Sequence, residues 1–110
     1  MSNPRFEPRA FTEEPDAFGL ARRIAWREPA QGDIDRVNAA RLQHQWALAI
    51  RKSSKDQFGS VKAYATAAQQ NYDRLAKVLR GDAIMRLEDI AAAQRLLEIP
   101  SFWREDDFDN

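Results

Sequence analysis

The 110-residue sequence lacks cysteine and has a single histidine and only four glycines. The absence of cysteine excludes a disulfide-stabilised scaffold and a thiolate metal site, and it favours a reducing, cytoplasmic location. Long hydrophobic runs are also lacking, since none approaches the ~20 apolar residues that a membrane span needs. The first ten residues are polar and carry two prolines, so we expect no signal peptide.

Catalytic motifs are absent as well: there is no P-loop, no GxGxxG and no nucleophile paired with a base. His44 has no partner at metal-binding spacing, so we expect it to be solvated or capped rather than to bind zinc. Glu88 and Asp89 are adjacent, and adjacent residues point about 100° apart on a helix, so they form no catalytic dyad. We therefore expect no enzyme, no metal and no cofactor. Ligand sensing is not expected either, because no second domain is present to hold a pocket.

The net charge of zero is an average over three unlike segments. Residues 1–33 hold four of the five prolines and have a net charge of −1, from five Arg and six acidic residues. Residues 34–97 have eleven Lys or Arg against six Asp or Glu, a net charge of +5, and no proline. Residues 98–110 carry five acids and one Arg, a net charge of −4. We interpret the chain as a partly ordered N-terminal arm (1–33), a helical domain (34–98) and an acidic tail (99–110).

The central segment predicts helices and no strand. We place the first helix at 34–53, with Asp33 as its N-cap and a polar connection after it over 53–59. Its apolar residues recur at helical spacing and form the stripe Ala39, Leu42, Trp46, Ala49 and Ile50. In the arm, residues 23–27 alternate polar and apolar side chains, as in a short strand or an extended segment.

Three shorter helices follow. Ser60 caps a helix over 61–68, with the inward residues Tyr64, Ala65 and Ala68. Asn71 caps a helix over 72–80, which Gly81 ends, with the apolar face Leu75, Val78 and Leu79. The last helix begins at 86 or 87 and ends at 98, with the inward residues Leu87, Ile90, Ala91, Ala93 and Leu97.

The short spacing between the second and third helices predicts a helix-turn-helix unit. Its residues are Tyr64-Ala65-Thr66-Ala67-Ala68-Gln69-Gln70-Asn71-Tyr72-Asp73-Arg74-Leu75-Ala76-Lys77-Val78-Leu79-Arg80-Gly81. This stretch resembles the lambda-repressor/Cro-type helix-turn-helix family. Tyr64-Ala65 takes the family's Leu-Ala place, Asn71 the Ser/Thr cap and Arg80-Gly81 the usual ending. Ala68, Leu75 and Val78 take core places, and Arg86-Leu87-Glu88-Asp89-Ile90 resembles the start of the family's next helix.

Two residues depart from the family's pattern. Gln69 stands where the turn usually has Gly, and Gln70 where it usually has an apolar residue. A left-handed conformation has a steric cost for any residue other than Gly. We therefore expect either a different turn geometry or a second helix that continues by one residue.

The resemblance implies an all-α, lambda-repressor-like domain of four to five helices that binds double-stranded DNA. It also implies a transcriptional regulator of bacterial or phage origin, and family members commonly bind partly palindromic operators as homodimers. On this interpretation the recognition helix is 72–80, and its outward residues face base edges in the major groove. The candidate base contacts are Tyr72, Asp73 and Lys77, and the candidate phosphate contacts are Ser60, Lys62, Asn71, Arg74 and Arg80.

Two other functions remain open. The runner-up is a protein-interaction module, such as an antitoxin that binds a partner through the N-terminal arm or the C-terminal tail and represses its own operon. The third is an architectural DNA-binding protein without sequence preference. The acidic tail is either a solubilising end, or it docks through Phe102 and Trp103 while its carboxylates compete with DNA for the basic face.

Overall fold

The computed structural model describes residues 6–28 and 33–99. This part of the chain contains four α-helices: α1 (Ile34–Phe58), α2 (Val61–Ala67), α3 (Tyr72–Arg80) and α4 (Leu87–Leu96). The described part contains no strand, in agreement with the predicted all-α class. None of the described helices is both long enough and apolar enough to cross a membrane. The tail residues Phe102 and Trp103, and the acids after them, lie outside the described residues.

Local signals for the start and end of α3 are confirmed. The Asn71 side chain accepts a hydrogen bond from the Arg74 N–H at 2.9 Å, and Gly81 closes the helix with φ +80°. Ser60 likewise caps α2, since its Oγ accepts from the Ala63 N–H at 3.0 Å. Asp33 occupies the N-cap position of α1, but its side chain makes no capping hydrogen bond.

Helix α1 is longer than predicted. Its expected end at Ser53 is wrong, because the helix continues to Phe58 through the segment interpreted as a polar connection. Gly59 ends it in a left-handed conformation, with its N–H donating to the Lys55 carbonyl at 3.1 Å. Phe58 then packs on Tyr64 of α2, with ring centroids 5.8 Å apart, so the added turn contributes to the core.

The buried face of α1 also differs from the predicted stripe. Trp46 and Ile50 are buried, but Ala39 is exposed and Leu42 is 54% exposed. The helix instead buries a face rotated by roughly a quarter turn, which comprises Val37, Ala40, Gln43, His44, Trp46, Ala47, Ile50 and Ser54. His44 is therefore buried rather than solvated, and the physical reason is the N-terminal arm that covers it.

In α4 the prediction is correct for Ala93 and Leu97, which are buried, and Ile90 is half-buried. It is wrong for Leu87, which is 80% exposed, and for Ala91, which is also exposed. The helix ends at Leu96, two residues earlier than predicted. Leu97 reaches the core as the residue that caps the helix rather than as part of its apolar face.

The arm residues 6–28 pack on the helices through irregular backbone and two short 3-10 helices, Pro8–Phe11 and Pro15–Ala17. A single antiparallel bridge joins Thr12 to Trp26, so 23–27 is an extended segment rather than a strand of a sheet. Gly19 lies so close to α3 that a Cβ built on it would be 2.1 Å from the Leu79 carbonyl oxygen. The arm is thus attached to the same end of α3 that Gly81 closes.

Candidate nucleic-acid interface

The turn between α2 and α3 keeps the left-handed residue that glycine usually supplies. Gln69 has φ +57°, and α2 ends at Ala67, so neither the altered turn nor the longer helix is found. The turn is held by backbone hydrogen bonds from the Gln69 N–H to the Thr66 carbonyl (3.1 Å) and from the Gln70 N–H to the Ala65 carbonyl (2.9 Å). Gln69 is exposed, so its side chain points away from the core. The steric cost of the left-handed conformation is therefore confined to its backbone.

Helix α3 separates cleanly into two faces. Its apolar residues Leu75, Val78 and Leu79 are all buried. The opposite face is exposed and comprises the predicted contact residues Tyr72, Asp73, Lys77 and Arg80. Tyr72 is 42% exposed, so part of its side chain is accessible to a ligand.

Arg74 is the member of the predicted contact set that does not face outward. Both of its terminal nitrogens donate to the carboxylate of Asp89, which is only 3% exposed. The same carboxylate accepts the Arg86 N–H at 2.9 Å and so caps α4. The hydrogen bonds to Asp89 raise the pKa of Arg74 above its ordinary value. Arg74 therefore links α3 to the start of α4 instead of offering its charge to a phosphate.

Arg80 is held at the other end of α3. Its Nε donates to Asp82 at 3.1 Å, and Arg9 of the arm donates to the same carboxylate at 2.9 Å. Burial opposes ionisation of Asp82, but the hydrogen bonds from Arg9 and Arg80 hold its pKa below the ordinary value. Arg80 nevertheless remains about half-exposed, with 49% of its side chain accessible. It can therefore exchange this exposed ion pair for a phosphate at small cost.

The remaining predicted contacts lie at the starts of α2 and α3. Ser60 and Asn71 are exposed, and each uses its side-chain oxygen to cap its own helix. Lys62 and Lys77 are exposed, and neither forms an ion pair with any described residue. These two ammonium groups are thus available to an external anion.

Arg51 of α1 belongs to this surface as well. Burial lowers the pKa of its guanidinium, Tyr72 raises it and Arg80 lowers it, so Arg51 is electrostatically coupled to α3. Its Nε is buried without a hydrogen-bond partner. Helical position alone does not predict this contact, because it depends on how α1 crosses α3.

No protein-family model, no curated protein and no solved structure matches the chain. The candidate interface therefore depends on its own geometry: two short helices, a left-handed turn and an exposed polar face on the second helix.

Proposed function

We propose that this chain is a sequence-specific, DNA-binding transcriptional regulator with a lambda-repressor-like helix-turn-helix, in which α3 enters the major groove. The observation that carries the proposal is the pairing of α2 and α3 across a left-handed turn, with the apolar face of α3 buried and its polar face open to solvent. A helix presented in this way is the element that reads base edges in helix-turn-helix proteins.

The proposed contacts are sorted by the exposure of each side chain and by whether its charge already forms an ion pair. Lys77 and Asp73 lie in the outward face and are suited to base edges, because an ammonium binds guanine acceptors and a carboxylate accepts from cytosine N4. Lys62, Arg80 and the residues at the two helix starts are suited to phosphates. Arg74 is left out of the contact set, since its charge is used by Asp89.

The test is a fluorescence anisotropy titration against the DNA upstream of the chain's own gene and against a pool of random duplexes. We expect Lys77→Ala to cost roughly 1–3 kcal/mol of binding free energy and to relax preference at one base position. The matched control is Arg95→Ala, which removes an equally exposed cation from α4.

Three outcomes distinguish the functions. A specific site bound ~10³-fold or more above random DNA supports a regulator. Binding that depends only on salt and not on sequence indicates an architectural protein. No binding to any duplex overturns the DNA proposal and leaves the protein-interaction module, such as an antitoxin, as the next function to test by pull-down.

A further inference from the structure

The arm and α1 enclose a cleft on the surface of the protein, separate from the residues proposed to contact DNA. Its volume is about 290 Å³. Its lining includes three arginines, a tryptophan, the histidine and a glutamine: Arg22, Arg23, Trp26, Arg41, His44 and Gln45. This volume lies at the lower limit of ligand pockets, which usually span ~300–1,000 Å³.

The three arginines make the cleft strongly basic. Arg22 and Arg23 come from the arm and Arg41 from α1, so two segments of the fold converge there. None of the three forms an ion pair with a carboxylate in residues 6–28 or 33–99. An anion in the cleft would accept charge-assisted hydrogen bonds from these guanidinium groups.

His44 lies in the wall of the same cleft and holds the arm on α1. Its Nδ1 accepts the Gly19 N–H at 2.9 Å, so the neutral ring carries its proton on Nε2. Nε2 is buried beside the backbone of Ala21 and Arg22, so the ring fixes the arm segment that carries Arg22 and Arg23.

We propose that this cleft binds a small phosphate-bearing molecule. Three guanidinium groups exceed the charge that a single carboxylate neutralises, whereas a phosphate monoester carries up to two negative charges and three acceptor oxygens. The ligand would join Arg22 and Arg23 to Arg41 and so hold the arm on α1. The proposal does not depend on DNA binding, because none of these residues belongs to the α2–α3 surface.

The single histidine of the chain provides a direct measurement. Burial lowers the pKa of His44, and the backbone groups of Arg22 and Ala21 oppose that effect. A phosphate bound beside the ring favours the imidazolium, and we expect it to raise the pKa of His44 by roughly 0.5 or more. The one imidazole signal in the NMR spectrum is followed through a pH titration, with and without millimolar inorganic phosphate at constant ionic strength set by chloride.

Matched variants locate the effect. Arg41 is exposed, so Arg41→Gln is expected to fold, and it should weaken phosphate binding about tenfold or more by removing one charge-assisted contact. Arg95→Gln removes an exposed arginine of α4 and should leave the effect unchanged. Circular dichroism of both variants checks that the helices are intact.

Each remaining outcome overturns the proposal. An unchanged His44 titration shows that the cleft binds no phosphate, and an equal effect of acetate shows that any carboxylate satisfies it. Equal losses in Arg41→Gln and Arg95→Gln show a general charge effect instead of a site. A response to a DNA duplex but not to free phosphate or to glycerol phosphate assigns the arginines to the DNA backbone and refutes the small-molecule ligand.

Discussion

Gln43 offers a direct test of how α1 organises the loop between α3 and α4. Its side-chain Nε2 donates to the carbonyls of Val78 and Ala83, both at 2.8 Å, and its Oε1 accepts the Met85 N–H at 2.8 Å. The residue is only 6% exposed. Met has a similar length but no polar atoms, so Gln43→Met removes the three hydrogen bonds without leaving a large cavity.

The expected cost follows from those three bonds. At a net ~0.5–1.5 kcal/mol each, their loss amounts to roughly 1.5–4.5 kcal/mol. The Val78 carbonyl keeps a second donor, the Gly81 N–H at 3.1 Å, and Ala83 and Met85 are half-buried, so water replaces part of the loss. We therefore expect the free energy of unfolding to fall by about 2–3 kcal/mol, which lowers Tm by roughly 10–20 °C for a domain of this size.

The assay is urea unfolding followed by far-ultraviolet circular dichroism. Gln57→Met is the matched control, because Gln57 lies on the same helix, is exposed and donates one side-chain hydrogen bond, from Nε2 to the Leu97 carbonyl at 2.9 Å. The loss of this one hydrogen bond should cost about 0.5–1 kcal/mol. If Gln43→Met is within 0.5 kcal/mol of the unmodified protein, or equals the control, the loop does not depend on this side chain.

Two further predictions concern left-handed residues. Gln69→Gly should stabilise the protein by ~0.5–1 kcal/mol, because relief of the left-handed conformation exceeds the added entropy of the unfolded chain. Gln70, at the next position, has no positive φ, so Gln70→Gly should destabilise the protein. If both variants change Tm in the same direction, the turn geometry is contradicted. Gly19→Ala should cost ~3 kcal/mol or more, since its φ is +72° and its Cβ would meet the Leu79 carbonyl oxygen at 2.1 Å. Gly59 has φ +86°, but no atom lies within 4 Å of a Cβ built on it, so Gly59→Ala should cost only ~1–2 kcal/mol. Equal losses of stability for the two variants in denaturant unfolding would show that the arm does not press on α3.

The starts of α2 and α3 and the end of α3 could be predicted because their signals are local. Ser60 and Asn71 each place an oxygen next to the free N–H groups of the following turn, and Gly81 takes the left-handed conformation without steric cost. Nothing outside these few residues is needed to define α2 and α3. The two faces of α3 follow for the same reason, since its apolar residues recur at a strict helical period.

The end of α1 could not be predicted in this way. Residues 53–58 are mostly polar, and that pattern is equally typical of a solvated helix and of a loop. The choice is made by Phe58, which reaches Tyr64, and by Gly59, which ends the helix. The contact between Phe58 and Tyr64 joins α1 to α2, so the extra turn depends in part on tertiary packing.

The sequence alone also does not predict which residues lie near Arg74 and Arg41. Arg74 has the same helical spacing as an outward residue, and only the position of α4 brings Asp89 within reach. Arg41 lies next to Arg22 and Arg23 because the arm folds back on α1, across a separation of about 20 residues that no local pattern encodes. These are the two places where the candidate sites changed most.

The choice between Leu42 and its neighbours on α1 shows which force decides such contacts. Leu42 and Gln43 point about 100° apart. The face of α1 that meets the arm and the α3–α4 loop buries Gln43 and leaves Leu42 exposed. Burying a leucine is worth roughly 1.5–3 kcal/mol. Burying Gln43 and His44 instead satisfies the N–H groups of Met85 and Gly19 and the carbonyl of Ala83, and each of these left unpaired costs about 1–3 kcal/mol. Three such groups outweigh one leucine, so the irregular segments that lack their own hydrogen bonds determine which side of α1 is buried.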